Sequence, residues 1–300
     1  MVKERSVAFY KRLILAVTAA LILIPTIFAV VLTAQNRRLR EKAETLPLPD
    51  DIVTVGASQL EPASPSRATT ILGYQLLYPD FKADFHGFSD QGAPRKEVFL
   101  TFDDGPSMGS AATLDLLKSK DIKATFFVNG KSNRYLSDQV KRMAVEGHEV
   151  GMHSYSHRYK IIYASMGNLL DDFYRNYLYI KNETGQAPTI LRFPGGSINI
   201  FNAMSYQAMI SEMLRRGFVY YDWNVSAGDT VAKAGSQEIA ANILNGVRLC
   251  WGPAIVLLHD NGNPALPEAL HLAIEALLQE GYVFRKLDNS VKPPAFVYPD

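Results

Sequence analysis

Short apolar runs alternate with longer mixed segments along the chain from about residue 95 onward. The apolar runs are rich in aromatic and β-branched residues, which is typical of buried strands, and they lie at 98–102, 124–128, 149–152, 189–193, 218–223, 254–258 and 282–287. The segments between them predict helices, several ending at a glycine, at 111–118, 138–146, 169–182, 201–216, 236–247 and 268–280. Strands that alternate with helices predict an α/β fold with a mostly parallel sheet. The number of units predicts a distorted (β/α) barrel-like domain over residues 95–287.

The first part of the chain has a different pattern. Residues 13–34 carry no charge over 22 positions, close to the roughly 20 residues that a helix needs to cross a bilayer. The apolar region of a removable signal peptide is usually only about 7–15 residues, and Leu32-Thr33-Ala34 is a poor cleavage site. We therefore expect an uncleaved transmembrane anchor at 13–34, after a cytoplasmic tail at 1–12. A cleaved signal peptide is the alternative.

Basic residues stand on both sides of this apolar stretch, at Lys3, Arg5, Lys11 and Arg12 before it and at Arg37, Arg38, Arg40 and Lys42 after it. Because the two flanks nearly balance, the positive-inside rule hardly decides the orientation. We expect the short tail inside the cell and the long C-terminal domain outside. That expectation depends on the substrate inferred below.

Residues 35–94 connect the predicted anchor to the domain. The part from 47 to 70 is rich in proline and small polar residues, which is typical of an extended stalk. The pre-domain segment 71–94 contains apolar residues that could pack on the domain, and its role stays open. Residues 288–300 are a C-terminal tail.

Composition adds few constraints. Of the 300 residues, 47% are hydrophobic, which suits a globular protein with a sizeable core. The net charge is +1 and no basic stripe with aromatic residues is present, so we expect no nucleic-acid partner. The single cysteine, Cys250, excludes an intrachain disulfide. Nothing in the sequence indicates the oligomeric state.

Ionisable residues gather where the predicted strands end, and the set comprises Asp103, Asp104, His153, His157, Arg192, Asp222, His259 and Asp260. In a barrel of parallel strands, the loops after the C-terminal strand ends carry the active site. Five strand ends supply such residues, which is more than chance explains. The pattern predicts an active site at one rim of the barrel.

Two imidazoles and one carboxylate are a common ligand set for Zn²⁺, and also for Fe, Co or Mn centres with open positions. His153 and His157 are four residues apart, so one helical turn would present both on the same face. A carboxylate from Asp104 would complete the set and leave positions open for water and substrate. Asp103 and Asp104 are adjacent, so one could bind the metal while the other serves as the base, unless Asp103 only caps the helix that follows. The metalloprotease pattern H-E-x-x-H is absent, since Ser154 stands in the place of its glutamate.

Five short motifs carry a family resemblance. Thr101-Phe102-Asp103-Asp104-Gly105-Pro106-Ser107 resembles the first motif of the polysaccharide deacetylases, carbohydrate esterase family 4, and the segment from His153 to His157 matches the second, H-[ST]-x-x-H. Arg192-Phe193-Pro194, Asp222-Trp223 and Leu257-Leu258-His259 resemble the third, fourth and fifth. The first two motifs are highly specific for the family. The other three are short and support the resemblance only in combination. The resemblance spans about residues 95–287 and implies a deacetylase domain.

The resemblance implies a role for each residue of the first three motifs. Asp103 would be the general base that activates water. Asp104, His153 and His157 would bind one divalent metal ion, Zn²⁺ first and Co²⁺ or Mn²⁺ as alternatives. Arg192 would pair with Asp103 and keep it ionised, because a nearby cation lowers a carboxyl pKa.

The resemblance also assigns the last two motifs. His259 would be the general acid that protonates the leaving amine, and Asp222 would hydrogen-bond to His259 and favour its protonated form. Trp223 and Leu257 would line a small pocket for the acetyl methyl group. The N–H group of Gly195 would contact the developing oxyanion.

The sequence departs from the family pattern at two positions. The third motif commonly has Tyr or Phe after the proline, whereas Gly195-Gly196 follows Pro194 here, so we expect one wall of the sugar groove to be lost. The fourth motif often has an aspartate three residues before Asp222, where Val219 stands. We expect activity with altered substrate contacts.

The leading hypothesis is a metal-dependent hydrolase that removes N-acetyl groups from an extracellular amino-sugar polysaccharide, with peptidoglycan as first candidate. Chitin-like oligosaccharide, an exopolysaccharide and O-acetylated xylan are alternative substrates. A non-catalytic wall-binding module would be expected to lack at least one of the residues proposed as base, metal ligands and acid. All five are present: Asp103, Asp104, His153, His157 and His259. Another metallohydrolase, such as a peptidase or phosphoesterase, would need a second metal's ligands or a glutamate base. The expected location is the cell membrane, single-pass, with the catalytic domain outside.

Overall fold

The computed structural model describes residues 72–89, 96–131, 133–231 and 234–293. The chain divides into two units, residues 1–73 and residues 74–300, and the fold below belongs to the second. The predicted cytoplasmic tail, the anchor at 13–34 and nearly all of the predicted stalk lie outside the described residues. Within the described ranges, no helix combines the length and apolar character needed to cross a membrane.

Eight strands and seven α-helices follow one another in the described part of the chain. The strands are β1 (Glu97–Asp103), β2 (Thr125–Asn129), β3 (Glu149–Ser154), β4 (Ile190–Leu191), β5 (Val219–Tyr220), β6 (Val225–Ser226), β7 (Ala254–His259) and β8 (Val283–Arg285). The helices are α1 (Ser110–Ser119), α2 (Arg134–Val145), α3 (Tyr159–Ile162), α4 (Met166–Thr184), α5 (Tyr206–Arg215), α6 (Ser236–Leu249) and α7 (Leu266–Gln279), and a 3₁₀ turn spans Gly73–Leu76.

The predicted order of strands and helices is confirmed. The predicted strands 189–193 and 218–223 are shorter in the structure, where only β4 and β5 pair. Two elements were not predicted, the four-residue helix α3 and the two-residue strand β6. Both are too short for a hydrophobic period to reveal.

All strands pair in parallel, in the order β5-β4-β3-β2-β1-β7-β6, and β8 pairs with the first half of β1. The strands at the two ends of this order, β5 and β6, are joined in sequence by residues 221–224 alone. Such a connection spans at most about 17 Å. The sheet must therefore curl until its two ends approach each other, which confirms the barrel-like α/β fold.

The two faces of β1 show how the barrel is filled. Val98, Leu100 and Phe102 belong to the large core between sheet and helices. Phe99, between them, faces the barrel interior, where it packs in a small second core with Phe127, Ile190, Val219, Tyr221, Ile255 and Leu287. Because side chains alternate along a strand, Thr101 and Asp103 face the same interior. The barrel is therefore apolar at its base and polar at the C-terminal rim.

Residues 74–89 of the predicted pre-domain segment lie on the domain, and one arginine holds them there. Buried Arg216, which follows α5, donates from Nη1 to the carbonyl oxygen of Tyr78 (2.9 Å) and from Nη2 to that of Leu77 (2.8 Å). Its Nε donates to Glu212 over 2.8 Å. Phe81 packs beneath, fully buried. These contacts make the segment part of the domain's packing.

We expect Arg216→Ala to lower the free energy of unfolding by about 3–5 kcal/mol, because it removes the buried one of the two cations that pair with Glu212 and leaves the carbonyl oxygens of Leu77 and Tyr78 without their donor. Arg215 is the matched control, since it bridges the same Glu212 while 46% of its side chain stays exposed. Arg215→Ala should cost no more than about 1 kcal/mol. Urea unfolding of both variants checks the difference, and equal losses would contradict it.

Candidate active site

The paired aspartates stand at the C-terminal end of β1. Asp103 is buried in the last position of the strand, and Asp104 follows it, partly exposed, with a left-handed backbone (φ 70°). That conformation is rare for residues other than glycine and is found where function demands it. The alternative that Asp103 only caps a helix is wrong, since α1 begins seven residues later, at Ser110.

His153 is positioned by a bulge in β3. Val128 of β2 pairs with Met152 and Asn129 pairs with Ser154, so His153 is the extra residue between them. Bulges of this kind re-aim a side chain beside an active site. Nδ1 of His153 lies 2.9 Å from the carbonyl oxygen of Arg192. A carbonyl can only accept, so Nδ1 carries the proton and the lone pair of Nε2 is free to face Asp104.

His157 is brought back to the same point by a tight turn after β3. Its backbone N–H donates to Oγ of Ser154 (2.8 Å), and its φ is 54°. The carboxylate of Asp172 on α4 accepts from the N–H groups of Tyr155 (2.7 Å) and Ser156 (3.1 Å) inside the turn. The expectation that one helical turn presents both histidines is therefore wrong. A bulge and a turn bring them together instead.

One ligand atom from each of Asp104, His153 and His157 lies within 4.8 Å of the others. Nε2 of His157 is 3.0 Å, and Nε2 of His153 3.5 Å, from the same oxygen of Asp104. Burial would raise the pKa of Asp104, but the hydrogen bond with His157 and the charges of both histidines hold that pKa well below its ordinary value. Burial lowers the pKa of His153, which favours the neutral ligand form. The set therefore fits one divalent metal ion.

Arg192 extends from the end of β4 into the barrel interior and is fully buried. Its Nε donates to the carbonyl oxygen of Tyr221 (2.8 Å) and its Nη2 to that of Asp222 (3.0 Å). Its Nη1 donates to Oγ1 of Thr101 (2.7 Å) and Oδ1 of Asp103 (2.9 Å). A buried charge is tolerated only when paired and hydrogen-bonded, and this guanidinium meets both conditions.

The contact with Arg192 assigns separate tasks to the two oxygens of Asp103. Oδ1 is held by the guanidinium, while Oδ2 lies 3.9 Å from Nε2 of His153. The free oxygen therefore faces the metal-ligand cluster. The predicted Asp103–Arg192 pair is present in the structure, with geometry suited to a carboxylate that is held by one oxygen and reacts through the other.

His259 ends β7, where it pairs in register with Asp103 on the neighbouring strand. Its partner is Asp229: Oδ1 lies 3.0 Å from Nδ1 of the imidazole, and Oδ2 accepts from the backbone N–H of His259 over 2.6 Å. Burial alone would lower the pKa of His259. The hydrogen bond and charge of Asp229 outweigh it and raise that pKa above its ordinary value.

The expected hydrogen bond between Asp222 and His259 is absent. The carboxylate of Asp222 instead accepts from the backbone N–H of Ser197 (2.8 Å) and from its hydroxyl. Asp222 lies two residues after β5, and its carboxylate contacts the loop after Pro194, whereas Asp229 follows β6, the strand that pairs with β7. The pairing of Asp229 with His259 was not predicted from the sequence, because Asp229 follows a strand too short to predict.

The three residues expected to contact substrate lie around the same rim. Leu257 is on β7 two residues before His259, on the same strand face, and is buried. Trp223 is partly buried, with Arg192 5.6 Å from the centre of its ring. Gly195 is exposed and has a left-handed backbone (φ 77°). Their roles stay predictions.

Comparison with known proteins agrees with this arrangement. Residues 90–215 match the family model described as polysaccharide deacetylase. A peptidoglycan-N-acetylglucosamine deacetylase of Bacillus cereus is 32% identical over 198 residues, which cover 64% of this chain and 70% of that protein. The crystal structure of the catalytic domain of a peptidoglycan N-acetylglucosamine deacetylase from Eubacterium rectale is 32% identical, with a TM-score of 0.65, and the match covers 71% of this chain and 97% of that one.

A second solved structure adds a metal to the comparison. It is a family 4 acetyl xylan esterase from Clostridium thermocellum in complex with a cobalt ion, 30% identical, with a TM-score of 0.54 over 64% of this chain and 88% of that one. Fold, motif positions and relatives thus agree. The chain belongs to the polysaccharide deacetylase family and is a deacetylase of the hydrolase class.

Proposed function

We propose that the protein is a metal-dependent N-deacetylase of an extracellular amino-sugar polysaccharide, and that peptidoglycan is its substrate. One observation carries this proposal. A carboxylate held by Arg192 and an imidazole held by Asp229 flank the cluster of Asp104, His153 and His157 from two neighbouring strands. A base and an acid beside a metal site are what hydrolysis of an acetamide requires.

Each residue then has a task in the reaction. Asp104, His153 and His157 would hold the metal. A divalent ion bound there would lower the pKa of a water molecule and polarise the carbonyl oxygen of the acetyl group. Oδ2 of Asp103 accepts the proton of the attacking water, whose oxygen bonds to the acetyl carbon. As the carbon–nitrogen bond breaks, Nε2 of His259 donates its proton to the amine nitrogen. The N–H of Gly195 is the proposed donor to the oxygen that becomes negative.

The substrate assignment is supported by relatives. The Bacillus cereus and Eubacterium rectale proteins are named for peptidoglycan N-acetylglucosamine. The Clostridium thermocellum esterase favours acetylated xylan as the second candidate, because ester and amide hydrolysis can use the same residues. The uncharged stretch at 13–34 supports a membrane anchor, and an extracellular polymer as substrate requires the domain to lie outside the cell.

We expect the full-length protein to release acetate from peptidoglycan, and prolonged treatment with a chelator to abolish release. The physical reason is that Asp103 and His259 alone cannot polarise the acetyl carbonyl. Acetate is measured on peptidoglycan, N-acetylglucosamine oligomers and acetylxylan side by side. Addition of Zn²⁺, Co²⁺ or Mn²⁺ should restore activity. Undiminished release after the protein has been shown to be metal-free would contradict the proposal.

A further inference from the structure

Two aromatic rings stand beside the metal-ligand cluster and take no part in the reaction described above. Tyr159 begins α3, two residues after His157, and its ring centre lies 5.2 Å from the His157 ring. The ring of Phe201 lies 5.2 Å from the ring of Tyr159, tilted by 54°. The two rings are therefore adjacent to each other and close to the metal-ligand cluster.

The third-motif loop is shaped to accommodate the first of these rings. A Cβ atom at Gly195 would lie 2.8 Å from Cε1 of Tyr159, closer than real Cβ contacts allow. The ring of Tyr159 thus occupies the space beside the backbone that a side chain at position 195 would need. Tyr159 thus stands where the side chain that commonly follows the proline of this motif is missing.

The ring of Phe201 belongs to the loop after Pro194, which several internal hydrogen bonds hold in place. The side chain of Asn199 donates to the carbonyl oxygens of Pro194 and Gly196 (both 3.2 Å), and its oxygen accepts from the backbone N–H of Phe201 over 2.9 Å. Asn202 is buried and donates to the carbonyl oxygen of Ser197 over 3.0 Å. The loop is therefore fixed before any ligand arrives, which reduces the entropy cost of binding.

The two rings differ in exposure. Phe201 is 40% exposed, whereas Tyr159 is partly buried against the large core. A binding site commonly presents aromatic side chains beside a few polar groups. The apolar face of a pyranose ring, formed by its axial C–H groups, matches a flat aromatic surface in size and character.

We propose that Tyr159 and Phe201 form a sugar-binding wall that stacks against the pyranose ring next to the acetylated residue. This inference rests on the proposed function for the identity of the polymer. Such a wall favours an oligomer over a single sugar as substrate, because a single acetylated sugar at the reaction site would not contact Phe201.

Binding is measured by calorimetry with a tetramer of β-1,4-linked N-acetylglucosamine, in an Asp103→Asn background that prevents turnover. We expect Phe201→Ala to weaken the Kd about 3- to 10-fold, and Tyr159→Leu to do the same. Phe201→Trp should preserve affinity, which a purely structural role of Phe201 would not predict. Ile200→Ala is the control, since Ile200 is the adjacent residue and 87% exposed.

The outcomes separate this inference from the proposed function. Unchanged tetramer affinity in Phe201→Ala, or an equal loss in Phe201→Trp, would overturn the wall. If the protein with native Asp103 releases no acetate from any glycan, the proposed function falls. The binding comparison still decides the wall in that case, because it does not depend on turnover.

Discussion

Replacement of Asp103 by asparagine is expected to lower kcat about 10³-fold or more while the metal stays bound. In the native protein, Nη1 of Arg192 donates to Oδ1 of Asp103 over 2.9 Å. Asparagine has nearly the same shape and keeps an oxygen that can accept this hydrogen bond. It cannot take the proton of the attacking water, and a positioned base contributes about 10²- to 10⁴-fold. Asp104, His153 and His157 are untouched, so metal content should not change. Acetate release and metal analysis of the same preparation check both halves of the expectation.

A neighbouring buried carboxylate provides the control for Asp103→Asn. Asp260 lies one residue after His259, is as buried as Asp103, and accepts from the hydroxyls of Ser107 and Ser110 outside the cluster. Asp260→Asn should destabilise the fold by a comparable mechanism yet lose far less turnover. Normal kcat in Asp103→Asn, with metal present and the fold intact, would remove Asp103 from the role of base.

The first three motifs could be predicted because each is short in sequence and follows a strand. Asp103 ends a seven-residue buried strand and Asp104 follows it, and β-sheet geometry alone brings this strand end beside that of β7. The motif that contains His153 and His157 also led us to expect the two imidazoles close to Asp104, where the structure has them. The means by which they meet was not predictable, since a bulge and a left-handed residue leave no hydrophobic period.

The residues that escaped prediction depend on elements too short to have a pattern. Asp229 follows β6, whose two residues are a strand only because β7 pairs with them. Tyr159 belongs to a helix of four residues. Its contact with Gly195 is between two segments that are distant in sequence, so no local pattern predicts it. Tertiary packing decides both cases. Asp222 was expected instead because the resemblance of Asp222-Trp223 to the fourth motif implied that role, while its place at the end of a predicted strand identified only the rim.

The second large effect is expected at Asp229. Its two oxygens accept from the backbone N–H and from Nδ1 of His259. Asparagine offers only one oxygen, so in Asp229→Asn an amide N–H group faces Nδ1 and disfavours its protonation. The pKa of His259, which Asp229 raises above its ordinary value, should then fall. We expect kcat at neutral pH to fall about 10²-fold or more, because the general acid is present in its charged form less often.

The pH profile distinguishes this effect from simple loss of structure. An acid acts while protonated, so activity with the native Asp229 should fall on the alkaline side as pH rises through the raised pKa of His259. In Asp229→Asn that alkaline limb should move to lower pH. Asp222→Asn is the matched control, since Asp222 is also buried but its carboxylate accepts from Ser197 and not from His259. Its alkaline limb should stay in place. A limb that moves in Asp222→Asn and stays fixed in Asp229→Asn would reverse the assignment, and His259 would then be positioned in solution by the residue that the motif resemblance first indicated.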